Sequence, residues 1–319
     1  MATTTTATAT AKHLPFTDEL RQKTKGLHGK TDRLVTLGLF AVLDYQACTL
    51  TPHTHAIYRQ ILLGFYYVFK TFEEEYERHL KTSTIDSQKQ KWPAHPWVEH
   101  TYSPELRRTE AFEADLAYFY GPDWKDHVQP SKQVREYMDH IRDIAKHQPE
   151  KLIAYPATLY LGLFFGGQIT RSKIVKSTHF FPSPPAKKLG GENDDGIAIF
   201  TFRDTSGTGT GKSGTGEKGK KMDPNKVKST LKDRLNSIPE MNLGEGVPET
   251  KLTLEGREAI AEEAREIFVR NMDLMTNVEG VSRVWTRWIF QFVLFVAVGL
   301  ALFQIMFRGN VLPSEPLVV

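Results

Sequence analysis

Residues Leu152–Lys173 read LIAYPATLYLGLFFGGQITRSK, and the interpretation of the whole chain depends on this stretch. It is apolar enough for a buried helix, yet it contains Gly162, Gly166 and Gly167. Each glycine costs roughly 1 kcal/mol relative to alanine inside a helix. Such a cost is expected where the backbone must bend or must lie close against something flat. The pattern alone leaves two interpretations open: a kinked core helix, or a helix that meets a ligand with its backbone.

The composition is that of an ordinary globular protein and excludes several kinds of site. The 319 residues are 40% hydrophobic and 25% charged, and the formal net charge is +3. That charge is too small to indicate a nucleic-acid partner. The single cysteine, Cys48, excludes an internal disulfide and any zinc or iron–sulfur site built from cysteines alone. This cysteine usage is typical of a reducing compartment such as the cytosol.

The two ends of the chain differ from its middle. Residues 1–13 contain a Thr/Ala tract without an apolar run, so we expect a disordered N-terminus and no secretory signal. Residues 288–307 are uncharged over roughly the 20 residues that a bilayer span needs. Arg283 and Arg287 precede this stretch, and only Arg308 adds positive charge after it. The sequence therefore predicts a C-terminal transmembrane anchor with the N-terminal bulk in the cytosol.

Hydrophobic periodicity predicts a mainly helical middle. A first helix is expected to begin near Thr17, which we interpret as its N-cap. The acidic run 73–77 is interpreted as the solvent-exposed half of a second helix, and residues 81–99 as a loop. The helices expected after the first cover residues 54–80, 111–120, 134–147, 227–238 and 255–278.

Residues 182–226 interrupt this helical pattern. They include a Gly/Thr/Ser/Lys tract at 205–221 that imitates a phosphate-binding loop. Ser206 stands where that motif requires glycine, and the context offers no βαβ unit. We therefore expect a flexible surface insertion.

His28 is the strongest candidate ligand among the histidines. Arg21 and Lys25 precede it on the predicted first helix, and Asp32 follows one turn later. A histidine beside an apolar stripe is more often a core or boundary residue. The alternative is a ligand role, which a neutral imidazole oriented by a neighbouring acceptor suits.

Several blocks of the chain resemble the heme oxygenase family. Tyr160–Gln168 is similar to the YLG-x-x-x-GGQ motif of the family's distal helix, and residues 20–32, LRQKTKGLHGKTD, resemble its proximal helix. Further blocks in the same order are FEEEYER at 72–78, EADLAYFYGPDW at 113–124, GIAIFTF at 196–202 and VKSTLKDRLNSI at 227–238. The resemblance implies one all-α domain, residues 14–280, followed by the transmembrane helix at 288–307. The predicted anchor makes the chain similar to tail-anchored members, and its apolar distal side to a fungal-like branch of the family.

The resemblance implies a heme held between the proximal and distal helices. His28 would ligate the iron, Asp32 would orient the imidazole, and Arg21 would meet a propionate. Lys228 and Lys232 are four residues apart, so both ammonium groups share a helix face. They would clamp the propionates, although two such lysines are also common on solvent-exposed faces. The other residues assigned to heme binding are Thr158, Phe268 and Asn271.

The implied reaction is the oxidative opening of heme to biliverdin, CO and ferrous iron. It uses O2 and electrons from an NADPH-dependent cytochrome reductase. Gly162, Gly166 and Gly167 would be the catalytic residues, because backbone without side chains can approach the iron side of the heme closely. Eukaryotic enzymes of this kind lie in the endoplasmic reticulum membrane, so the anchor is expected there, with the catalytic domain facing the cytosol.

The chain departs from the family pattern on the distal side. Leu163 stands where the family commonly has an aspartate that holds a water network, and Phe69 and Leu159 stand where it has Tyr and Arg. Either water held by backbone groups delivers the protons, or turnover is impaired. Two alternatives to the enzyme therefore stay open: a heme-binding sensor or carrier with little ring opening, and a membrane adaptor without heme.

Overall fold

The structure, a computed structural model, describes residues 14–33, 55–84, 96–176, 194–204, 219–240 and 252–308. The predicted disordered N-terminus and most of the glycine-rich tract, residues 205–218, lie outside these ranges. The α-helices are α1 (Phe16–Arg33), α2 (His55–Thr84), α3 (Pro96–Thr101), α4 (Thr109–Tyr120), α5 (Trp124–His127), α6 (Lys132–His147), α7 (Gln168–Lys176), α8 (Pro224–Ser237), α9 (Leu254–Thr276) and α10 (Val281–Arg308).

Short helices of other types connect these elements. Four 3-10 helices cover Pro104–Leu106, Pro149–Ile153, Ala198–Phe200 and Ile238–Glu240, and two π-helical turns cover Pro156–Tyr160 and Leu163–Gly167. Within the described ranges, the extended structure amounts to one isolated antiparallel bridge between Arg203 and Lys221. The all-α prediction is confirmed.

The core is built around α2. This helix packs against α4 and α6, and its buried face presents an aromatic and aliphatic stripe to them. α1 lies on another side of the domain, against α8 and α9. The buried stripe of α2 includes Leu62, Tyr66, Val68, Phe69 and Phe72.

Two local predictions were wrong. Thr17 lies inside α1, and its N–H and hydroxyl both donate to Asn236 Oδ1 at 2.9 Å, so it joins α1 to α8 and does not cap α1. The predicted loop 81–99 is shorter at both ends, because α2 continues to Thr84 and α3 begins at Pro96. The reason at the second end is burial, since Val98 in α3 is fully buried.

The predicted flexible insertion, 182–226, is also too broad. Ile197, Phe200 and Phe202 are buried, so part of the GIAIFTF block belongs to the core. α8 begins at Pro224, where Asp223 caps the helix by accepting the Asn225 N–H at 2.9 Å. An apolar block of this kind cannot stay in solvent, because burying each large apolar side chain gains roughly 1.5–3 kcal/mol.

The C-terminal segment is helical, and its apolar side chains are exposed. α10 contains the apolar stretch Phe292–Met306, in which Phe295 is 78% exposed and Val296 is 41% exposed. The described helix that meets the length and hydropathy expected of a membrane span is Pro149–Lys176, but 56% of its apolar 18-residue window is buried inside the domain. That helix is therefore a core element, whereas α10 has an apolar surface that the domain does not cover.

Candidate functional site

Pro149–Lys176, which we call the distal segment, is one continuous helical run interrupted by two π-helical turns. The first π-turn is Pro156–Tyr160 and the second is Leu163–Gly167, so Gly162 lies between them. A π-turn is rare because its i→i+5 hydrogen bonding is unfavourable, and such turns are frequent at functional sites. The distal segment thus departs from a regular helix where the glycines lie.

The three glycines have different surroundings. A Cβ atom added to Gly162 or to Gly166 would meet nothing within 4 Å. A Cβ added to Gly167 would lie 3.0 Å from Phe200 Cδ1. Gly162 and Gly166 therefore present bare backbone to open space, while Gly167 is a packing position against the GIAIFTF block.

His28 lies on α1 and contacts the wall formed by α9. Its ring centroid is 5.0 Å from that of Phe268, and the planes are inclined at 51°. His28 is half-buried and Phe268 is 9% exposed, whereas Arg21 is exposed. Asp32 lies within α1, but its side chain is outside the description.

α8 and α9 join the two sides of the site. α8 packs against α1 and against the second π-turn, and α9 packs against α1 and against the first π-turn. The helix that carries His28 and the segment that carries Gly162 therefore share the same two supporting helices. We take the region bounded by α1, α8, α9 and the distal segment as the candidate site.

The two lysines lie on one face of α8, at one edge of this site, and each contacts a different neighbouring element. Lys228 Nζ lies 4.9 Å from the ring centroid of Phe165 in the second π-turn and 3.2 Å from Asn225 Oδ1. Lys232 Nζ lies 4.0 Å from Asp18 Oδ1 in α1. Two cations at one edge of the site can bind an anionic group.

The other predicted binding residues are placed differently. Thr158 is half-buried in the first π-turn. The Asn271 side chain is 8% exposed, and its Oδ1 accepts the Tyr137 hydroxyl hydrogen at 3.3 Å. Asn271 therefore connects α9 to α6 inside the core.

The three apolar departures from the family pattern are packed. Leu159 is 4% exposed and Phe69 is 2% exposed, with the Phe69 ring centroid 5.7 Å from that of Tyr160. Leu163 is half-buried, and its Cδ2 lies 3.5 Å from the position of a Cβ on Gly167. The hydroxyl of Tyr160 donates to Glu73 Oε1 at 3.0 Å.

Glu73 is a polar group that the sequence interpretation missed. It belongs to the acidic run expected to face solvent, yet it is 5% exposed. Its carboxyl group accepts the N–H groups of Arg108 at 2.6 Å and Thr109 at 3.1 Å, besides the hydroxyl of Tyr160. Burial raises the pKa of Glu73, and the hydrogen bonds from Thr109 and Arg108 oppose the rise. The error came from counting charges, because four of the five residues at 73–77 are glutamates and the pattern does not distinguish the buried ones.

Arg108 is the second missed residue. Its guanidinium donates to the carbonyl oxygens of Thr201 and Glu105 at 2.7 Å each, and it lies 4.3 Å from the ring centroid of Phe202. Burial lowers the pKa of Arg108 to about 10, so the group stays charged at neutral pH. The Phe202 ring stacks on Phe164 of the second π-turn, with centroids 4.3 Å apart.

Asp115 fixes the same GIAIFTF block from α4. It is fully buried and accepts the N–H groups of Ala198 at 2.8 Å and Ile199 at 3.0 Å. Burial raises the pKa of Asp115 to about 8, against the effect of these two donors. The block that contacts Gly167 is therefore held by a carboxyl group as well as by a guanidinium.

Comparisons with known proteins agree on the family. A sequence profile described as heme oxygenase matches residues 14–213. The chain is 28% identical over 223 residues to heme oxygenase 1 of Synechocystis, which covers 70% of this chain and 71% of that protein. It is 26% identical over 280 residues to the heme oxygenase of Takifugu rubripes, covering 88% and 79%.

A solved structure has the same fold. Heme oxygenase-1 from the cyanobacterium Synechocystis, crystallised in complex with heme, aligns with a TM-score of 0.58 and 24% identity. The alignment covers 88% of this chain and 100% of that chain. Together with the profile match, which spans more than half of the 319 residues, these findings give one assignment. The chain belongs to the heme oxygenase family.

Proposed function

We propose that this chain is a heme oxygenase that opens heme to biliverdin, CO and ferrous iron. The reaction takes O2 and electrons, which an NADPH-dependent cytochrome reductase supplies. The observation that carries the proposal is the bare backbone at Gly162 and Gly166, which faces open space on a segment joined through α8 and α9 to the helix of His28.

The residues around this space fit a flat, dianionic ring. Open space at two glycines lets a planar group approach the backbone, and a side chain there would block it. His28 supplies an imidazole beside the apolar ring of Phe268. Lys228 and Lys232 supply two cations at one edge for the carboxylates. When bound, heme supplies the iron at which O2 is reduced.

We assign the roles residue by residue. His28 ligates the iron and Asp32 orients its imidazole. Arg21, Lys228 and Lys232 hold the propionates. Phe268 and Thr158 form walls of the site, and Asn271 supports α9 through its hydrogen bond with Tyr137. Gly162 and Gly166 provide the open distal backbone. Gly167 fixes that backbone by packing against Phe200.

Proton delivery falls to water held by backbone groups. Leu163, Phe69 and Leu159 are apolar, and the Tyr160 hydroxyl is occupied by Glu73. The π-turns supply the alternative, because their peptide groups make poorer internal hydrogen bonds and can bind water.

The same apolar distal side favours a second candidate function. A heme sensor or carrier needs the imidazole and the lysines but no route for protons. Ring opening separates the two functions. With hemin, the purified chain should develop a Soret band; with reductase and NADPH added, an enzyme loses that band and gains biliverdin absorbance. A stable Soret band would favour the carrier, and no Soret band would rule out both.

We also propose that the chain is a fungal-like, tail-anchored member of the family. In this proposal α10 spans the endoplasmic reticulum membrane and the catalytic domain faces the cytosol. Support comes from the exposed apolar stretch Phe292–Met306, which a bilayer would cover. A chain ending at Ser282 should leave the membrane fraction and keep hemin binding. Aggregation or loss of hemin binding after this truncation would mean that α10 belongs to the fold.

A further inference from the structure

The two π-turns beside Gly162 require support from outside the distal segment. A π-turn is rare and occurs mostly as a single turn inside an α-helix, so we expect it to persist where surrounding contacts determine it. Relaxation of one π-turn to α-helix would rotate the following residues by about 100°, the angle per residue of an α-helix. The direction in which Gly166 faces therefore depends on what holds these turns.

Glu73 holds the first π-turn. Its Oε1 accepts the hydroxyl hydrogen of Tyr160, the last residue of that turn, at 3.0 Å. Both groups are buried, with Glu73 5% exposed and Tyr160 5% exposed. A hydrogen bond of this kind is costly to break, because the buried hydroxyl would lose its partner.

Arg108 holds the second π-turn. Its guanidinium lies over one ring, Phe202, and that ring stacks on Phe164 at 4.3 Å with an interplanar angle of 21°. The same guanidinium donates to the Thr201 carbonyl at 2.7 Å, which fixes the backbone that carries Phe202. The stacked groups therefore connect the buried guanidinium of Arg108 to the second π-turn, which contains Gly166.

The two supports form one unit. The backbone N–H of Arg108 donates to Glu73 Oε1 at 2.6 Å, and this is the oxygen that accepts from Tyr160. The two buried side chains also carry opposite charges, and the charge of Arg108 opposes the rise in the pKa of Glu73 that burial causes. We propose that Glu73 and Arg108 are positioning residues that hold both π-turns and thereby set how Gly162 and Gly166 face the heme. This inference rests on the proposed function.

The first test needs no heme. In the 319-residue chain, Arg108→Met keeps an unbranched side chain and removes the guanidinium, Phe202→Leu breaks the stack alone, and Tyr160→Phe breaks the bond to Glu73 alone. Hydrogen–deuterium exchange should accelerate about tenfold or more in peptides covering residues 156–167. The matched control is Trp124→Leu, which removes a ring 2% exposed that packs on Tyr66 at 5.0 Å.

The second test measures the surroundings of the bound heme and the rate of the reaction. With ferrous heme and CO as the probe, the C–O stretching frequency should shift in Arg108→Met and stay unchanged in Trp124→Leu. Hemin affinity should change less than about threefold while kcat falls about tenfold, since misplacement by a fraction of an ångström lowers the rate more than binding. Arg108→Lys should recover part of the rate, because it restores a cation next to the Phe202 ring.

The outcomes separate the two proposals. If Arg108→Met lowers the melting temperature as Trp124→Leu does, with unchanged exchange at 156–167 and an unchanged C–O frequency, Arg108 is only a core residue and the inference is wrong. If the unaltered chain binds no hemin, the proposed function fails. Exchange at 156–167 would then still show whether Glu73 and Arg108 hold the turns.

Discussion

The imidazole of His28 lies 5.0 Å from the ring of Phe268, centroid to centroid, so the one histidine singled out in α1 contacts the wall of α9. Phe268 is buried, and α9 is connected to the core through Asn271 and Tyr137. The ring of His28 is thus placed by a packed aromatic side chain, which is the kind of support that an iron ligand needs.

His28→Ala should abolish biliverdin formation and change the ligand-sensitive bands of bound hemin. Hemin affinity should fall by less than about tenfold, because the apolar walls and the lysines of α8 remain. Added imidazole should restore a histidine-like spectrum. His127→Ala is the control, since His127 is exposed and pairs with Asp123 at 3.0 Å away from α1. An unaltered spectrum in His28→Ala would move the ligand to another histidine.

Gly162→Ala and Gly166→Ala should stabilise the heme-free chain by about 1 kcal/mol each, because an added Cβ has open space and alanine favours helix. Both should lower the rate of ring opening, since the methyl group enters the space where heme lies. Melting curves of the heme-free chain and single-turnover rates measure the two effects.

Gly167→Ala is the matched comparison for these variants. Its Cβ would lie 3.0 Å from Phe200 Cδ1, so overpacking offsets the helical gain and no stabilisation is expected. If Gly162→Ala and Gly166→Ala left both stability and rate unchanged, the open space would have no role in catalysis.

Lys228→Ala should weaken hemin binding about fivefold, the effect of losing roughly 1 kcal/mol from an ion pair near the surface. The loss should shrink at high salt, because screening weakens the same attraction. Lys226→Ala is the control on the same helix, where Lys226 is exposed. Equal effects of the two substitutions at low salt would show that α8 contributes only general positive charge.

Part of this arrangement could be predicted from the sequence, whereas the remaining features depend on tertiary contacts that the sequence pattern does not show. Periodicity predicted the helix α1, and the resemblance to the family implied that α1 and the glycine-bearing distal segment face one ligand. Neither π-turn was predicted, because no residue type marks an i→i+5 turn. Glu73 and Arg108 escaped notice because burial of a charge depends on partners from α4 and the GIAIFTF block, far apart in the chain. Only tertiary packing brings them together.

Asp115 predicts how stability depends on pH. Burial raises its pKa from 3.8 to about 8, so the folded chain binds this proton more tightly than the unfolded chain. The resulting stability is fully present below 3.8 and is lost as pH rises through about 8. The free energy of unfolding of the unaltered chain should therefore fall relative to Asp115→Asn by about 1–3 kcal/mol between about pH 5 and about pH 8.

Urea titrations at several pH values measure this difference. Asp123→Asn is the control, because Asp123 is exposed and its pKa is lowered by the hydrogen bond from His127. A difference between Asp115→Asn and the unaltered chain that stays constant with pH would show that the buried carboxyl group does not titrate in this range.

CO release tests the central claim most directly, because a carrier or sensor forms no CO from its heme. The 319-residue chain is loaded with about one equivalent of hemin and supplied with NADPH, a cytochrome reductase, O2 and catalase, and CO is trapped by deoxymyoglobin. We predict about one CO per heme lost, with matching biliverdin, and none from His28→Ala. Heme loss without CO, or an intact Soret band after the NADPH is consumed, would contradict the assignment of ring-opening activity.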